Sequence, residues 1–86
     1  MKITKKAVAG KISAYLRHRI SVEELVDWAE RAVMDGSFEP GQAKVLAAVV
    51  GRLGLADVKA FGLTWEDCEK LLRKLGYAAR VDIVAA

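Results

Sequence analysis

One thiol, one imidazole and eleven carboxylates are the side chains in this sequence that could carry catalytic or metal chemistry. A cysteine nucleophile acts as the thiolate beside a base, yet the single cysteine, Cys68, lies far along the chain from the single histidine, His18. Cys68 therefore reads as a small buried hydrophobe. One cysteine and one histidine make neither a disulfide framework nor a zinc site, so no metal or cofactor is expected. Among the carboxylates, Glu23, Asp27 and Glu30 fall at i, i+4 and i+7, an acidic ridge along one helix face with Met34 at its end. A general acid needs a dry pocket that raises its pKa, whereas these three lie opposite an apolar stripe. The ridge reads as a docking surface for a basic partner, with Trp28 at the stripe's margin as its aromatic anchor. No phosphate loop, nucleophile elbow or metalloprotease signature is present. The expectation is a protein without catalytic residues.

Charge is distributed unevenly. The net charge is +3, but residues 1–20 carry six Lys/Arg and no acid, while residues 21–40 carry six acids against Arg31 alone. On a helical projection Lys2, Lys6 and Arg17 gather on one side, with Lys5 and Lys11 nearby. Such a ridge suits phosphates. It equally suits solvent, the acidic ridge of the next helix or a neighbouring subunit. Residues 55–75 can also be laid on a helix-turn-helix template, but Glu66, Asp67 and Glu69 would face the polyanion at the start of the reading helix.

The elements that must position these groups are helices. Val8, Ile12, Tyr15 and Leu16 share one face over about Thr4–His18. Ser21 and Glu24 form a capping box for a second helix whose stripe is Val22, Leu25, Val26, Ala29 and Val33, with Gly36 placed to end it. Ser37–Gly41 reads as a turn in which Pro40 sets a helix start. Gln42–Leu53 follows, apolar round most of its circumference and thus the central helix. One or two further turns over Leu55–Phe61 lead to Thr64 and Asp67, a second capping pattern. The last helix turns Cys68, Leu71, Leu72 and Leu75 inward and ends at Gly76–Tyr77. Beyond it Tyr77, Ala79, Val81 and Ile83 alternate with Ala78, Arg80, Asp82 and Val84, as in a half-buried strand. A lone strand needs a mate, and Lys2–Thr4, a second copy or another protein's sheet edge are the choices.

The strings Leu25-Val26-Asp27-Trp28-Ala29-Glu30 and Gly54–Cys68 resemble a group of short bacterial helical proteins, a likeness that spans most of the chain and carries over no functional residues. In size and acidic helix faces the chain is also similar to small antitoxin or immunity proteins.

Together these features predict one domain over 1–86. It is an all-α bundle of four helices with a short extra turn, and 77–86 forms an extended tail or single strand. The core is expected from Val8, Ile12, Leu16, Leu25, Val26, Ala29, Val33, Leu46, Val49, Val50, Leu53, Cys68, Leu71, Leu72 and Leu75. No apolar run approaches the roughly 18 residues of a membrane span, no apolar segment follows the basic amino terminus, and a bacterial cytosol is the expected setting. The expected role is a non-enzymatic protein-binding module that uses Glu23, Asp27, Trp28, Glu30, Val81 and Ile83. The alternatives are a nucleic-acid-binding regulator using Lys2, Lys5, Lys6, Lys11 and Arg17, and a structural homodimer joined through its tail.

Overall fold

Three of the four helices begin where a side chain satisfies free amide groups, and α3 starts at Gln42 without such a cap. The computed structural model describes residues 1–85 and contains α1 (Lys5–Leu16), α2 (Val22–Asp35), α3 (Ala43–Leu53) and α4 (Trp65–Lys74). The Thr4 hydroxyl accepts from the Ala7 amide at 3.0 Å to start α1. At α2 the Ser21 hydroxyl accepts from the Glu24 amide, and the Glu24 carboxylate accepts from the Ser21 amide, both at 3.1 Å. Thr64 and Asp67 repeat this reciprocal cap at α4, so two groups of orphan donors are met in the same way. The Thr64 amide and hydroxyl, with charge from Arg52, hold the Asp67 carboxyl below the usual carboxylate range.

The helix ends also follow a rule, with one surprise. At α4 the Tyr77 amide donates to the Leu72 carbonyl at 2.9 Å across Gly76, whose φ is +86°. At α1 the Arg19 amide donates to the Ala14 carbonyl at 2.9 Å across His18, whose φ is +59°. Both are Schellman endings, the second with a histidine where glycine is usual.

The fold is mostly helical, but it is not all-α. Lys2–Ile3 (β1) pairs in parallel with Ser37–Phe38 (β2), where a turn was expected, with Lys2 opposite Ser37 and Ile3 opposite Phe38. The Ser37 amide donates to the Met1 carbonyl at 2.7 Å and the Glu39 amide to the Ile3 carbonyl at 2.9 Å. This clasp uses the segment proposed as a mate for the tail. The tail itself, 77–85, forms no strand, and Val81, Ile83 and Val84 are exposed. The final position of the expected 77–86 tail, Ala86, lies outside the described residues.

The core is a single cluster that joins all four helices to β1, with Ile3, Val8, Ile12, Leu25, Ala29, Leu46, Val49, Val50, Leu53 and Cys68 fully buried. The α2–α3 pairing is the most extensive. Three core expectations change. Val33 is 57% exposed, because the inward position at the end of α2 is taken by the smaller Ala32, beside Gly36 and Ile3. Leu16 is half-buried at the margin. In α3 only Leu46, Val49, Val50 and Leu53 are buried, while Ala43, Ala47, Ala48 and Gly51 face outward. Its apolar girth reflects small residues that solvent tolerates.

Gly36 is not a left-handed cap: its φ is −79°. Its lack of a side chain serves close approach, since a Cβ there would collide with the Ala32 carbonyl and stand 2.7 Å from Ile3 Cγ1. Residues 55–62 make successive tight turns and no helix, with Val58 40% exposed. The helix-turn-helix template thus lacks its first helix.

Candidate nucleic-acid interface

The Schellman turn at Gly76 sends the chain back along α1, and that return creates a cleft beside α1. The cleft, about 560 Å³, has Ala9, Gly10 and Ser13 of α1 and Leu72 of α4 on its walls. Lys6 reaches it from α1 and Arg17 from the residue that caps α1, Trp65 from the start of α4, and Tyr77 and Arg80 from the tail. Trp65 is 38% and Tyr77 41% exposed, so each ring keeps a substantial free surface. Among the described residues no carboxylate lines the cleft, in a chain with eleven acidic side chains. A second hollow, about 630 Å³ and shallower, continues past Leu16 and Trp65, which border both. Tyr15, His18 and Ser21 line it with apolar neighbours, again without a carboxylate among the described residues. The Tyr15 hydroxyl donates to the Leu63 carbonyl at 3.5 Å, which ties the wall of this hollow to the segment before α4.

Of the five basic residues singled out in the sequence, the structure brings Lys6 and Arg17 together in the cleft and disperses the others. Lys2 lies in β1, Lys5 is half-buried at the start of α1, and Lys11 places its Nζ 5.7 Å from the centroid of the Trp28 ring. Trp28 is therefore half-buried and covered by an intramolecular cation–π contact, with Glu24, Asp27 and Arg31 around it in a small hollow of mixed charge. Glu23, Asp27 and Glu30 are exposed on α2, and none makes an ion pair among the described residues. Val81 lines the cleft, to which no residue of α2 contributes, and Ile83 is 96% exposed. The acidic ridge and the tail thus do not meet in one concavity.

Arg80, Trp65 and Tyr77 were not legible as partners of Lys6 and Arg17. Trp65 and Tyr77 flank α4 by their places beside a cap and a stop, but only the packed return of the tail sets them opposite α1.

Elsewhere, Arg52 donates to Asp67 at 3.4 Å and lies 6.0 Å over Phe61, bracing residues 55–62 against α4. Cys68 is fully buried, and burial raises its thiol to about 11, the nearby Asp67 charge adding to the effect. It is a protonated packing group at neutral pH. Among the described residues no group of three or more His, Cys, Asp or Glu is gathered as a metal would require, and no helix is long and apolar enough to cross a membrane. No protein-family model matches the chain, and neither a curated protein nor a solved structure matches it.

Proposed function

We propose that this chain is a non-enzymatic binding module whose working surface is the α1–tail cleft and whose partner is a nucleic acid. The observation that carries the reading is the convergence of Lys6, Arg17 and Arg80 with Trp65 and Tyr77 on a concave surface that no carboxylate among the described residues lines. Three cations held at one cleft attract phosphates and release condensed counterions when they bind them. A labelled oligonucleotide titrated at increasing salt tests this. With three phosphates neutralised, log K falls against log salt with a slope of about −2 for a single strand. Reversing Lys6 and Arg17 to glutamate removes binding, whereas reversing Glu23, Asp27 and Glu30 to lysine leaves it intact. Absence of retardation at low salt dismisses the reading.

A protein partner on α2 is the second reading, and one observation favours it. Glu23, Asp27 and Glu30, which make no ion pair among the described residues, stand on the same helix as Met34, 80% exposed, and Val33, 57% exposed. Charged groups around an apolar patch suit a basic, partly apolar segment. Reversal of Glu23, Asp27 and Glu30 abolishes capture of such a partner in a pull-down; unchanged capture removes α2 from consideration.

A further inference from the structure

We infer that the cleft takes a single-stranded nucleic acid, with unstacked bases laid on Trp65 and Tyr77 and phosphates held by Lys6, Arg17 and Arg80. This rests on the nucleic-acid reading above and specifies the form of the ligand. Two features of the cleft separate single strands from duplexes. The first is that its aromatic surfaces form the walls of a concavity. In a duplex each base is already stacked on its neighbours, so only a splayed base can lie on a protein ring. The second is continuity. Leu16 and Trp65 border both hollows, so the surface runs on from the cationic cleft toward Tyr15 and His18, and among the described residues no carboxylate lines it to repel a backbone. A track with aromatic rings at intervals and cations beside them is the arrangement that sequence-tolerant single-strand binding uses. An acidic peptide would satisfy the cations but would leave both exposed rings without a flat partner.

Gly10 supplies a sharp test. It lines the cleft from the exposed side of α1, and a Cβ built there meets nothing within 4 Å. A larger residue at this position fills the cleft and changes neither its charge nor its aromatic rings. Replacing a glycine inside a helix also favours the helix, so loss of binding in Gly10→Leu does not reflect loss of fold. Trp65→Ala removes the stacking surface directly.

The experiment follows anisotropy of labelled oligothymidylate, a labelled duplex of equal length and labelled oligoglutamate with the full chain at low salt. A Trp28→Phe background leaves Trp65 as the sole indole. The expected result is single-strand binding at least tenfold tighter than duplex binding, with quenching of Trp65 emission. Gly10→Leu and Trp65→Ala each weaken single-strand binding about tenfold, while far-ultraviolet dichroism of Gly10→Leu keeps its helical form. Equal affinity for duplex, with Gly10→Leu without effect, overturns the single-strand inference and leaves nucleic-acid binding standing. Oligoglutamate bound as tightly as oligothymidylate, or no nucleic acid bound at all, overturns both.

Discussion

His18 holds a left-handed backbone that costs an L-residue roughly 1–2 kcal/mol relative to a right-handed one, and it does so at the end of α1, where the Arg19 amide must reach Ala14. Glycine at this position relieves the strain and loses about 0.5–1 kcal/mol of that gain to its greater unfolded freedom. His18→Gly is therefore expected to raise stability by about 0.5–1 kcal/mol, read as a higher urea midpoint. Cys68 carries a pH dependence of definite sign. Its folded thiol ionises near 11 and its unfolded thiol near the ordinary 9.0, so the buried protonated form supports the fold fully below pH 9.0. That support fades as pH rises through 11. Unfolding midpoints compared across this window should fall more in the native chain than in Cys68→Ala; parallel curves would contradict the assignment. Burial of Cys68 was legible from its spacing with Leu71, Leu72 and Leu75. The conformation of His18 was not, because no glycine marks the end of α1.

At the scale of elements, caps and stripes made α2 and α4 readable almost to the residue. Ser21 with Glu24 and Thr64 with Asp67 close reciprocal bonds that depend only on neighbours three positions away. The β1–β2 clasp left no such trace. Two-residue strands show no alternation, and a parallel pair joined across two helices follows from tertiary packing alone. The same packing explains Val33: a periodic stripe gives a helix face, but the neighbours at Ile3 and Gly36 decide which residue at its edge is covered. Gly36→Ala should therefore cost about 1–3 kcal/mol through overpacking, although its extended backbone suits alanine. Differential scanning calorimetry of the variant, with the melting temperature lowered, is the measurement; an unchanged temperature would show that the clasp gives way freely.

For the molecule as a whole, the polarity noticed along the chain becomes a polarity in space. Lys6 and Arg17 face the cleft, and Glu23, Asp27 and Glu30 are exposed on α2, which contributes nothing to that cleft. The charge blocks were legible as runs of like sign, whereas the cleft was not, since it exists only when residues 77–81 fold back on α1. A chain ending at Ala79 with its terminal carboxyl amidated, so that no new carboxylate enters the cleft Ala79 lines, tests the contribution of that return. It loses Arg80 and Asp82 together, so net side-chain charge is unchanged, and it retains Ala79, which packs on the core. Helical dichroism should persist, while the salt slope for a single strand drops from about −2 to about −1.4 as one phosphate contact is lost. The clasp has a different corollary. Because the amides of Ser37 and Glu39 are closed off only by the carbonyls of Met1 and Ile3, their deuterium uptake is a built-in gauge of whether the first residues are seated, readable two helices away from the segment that moves.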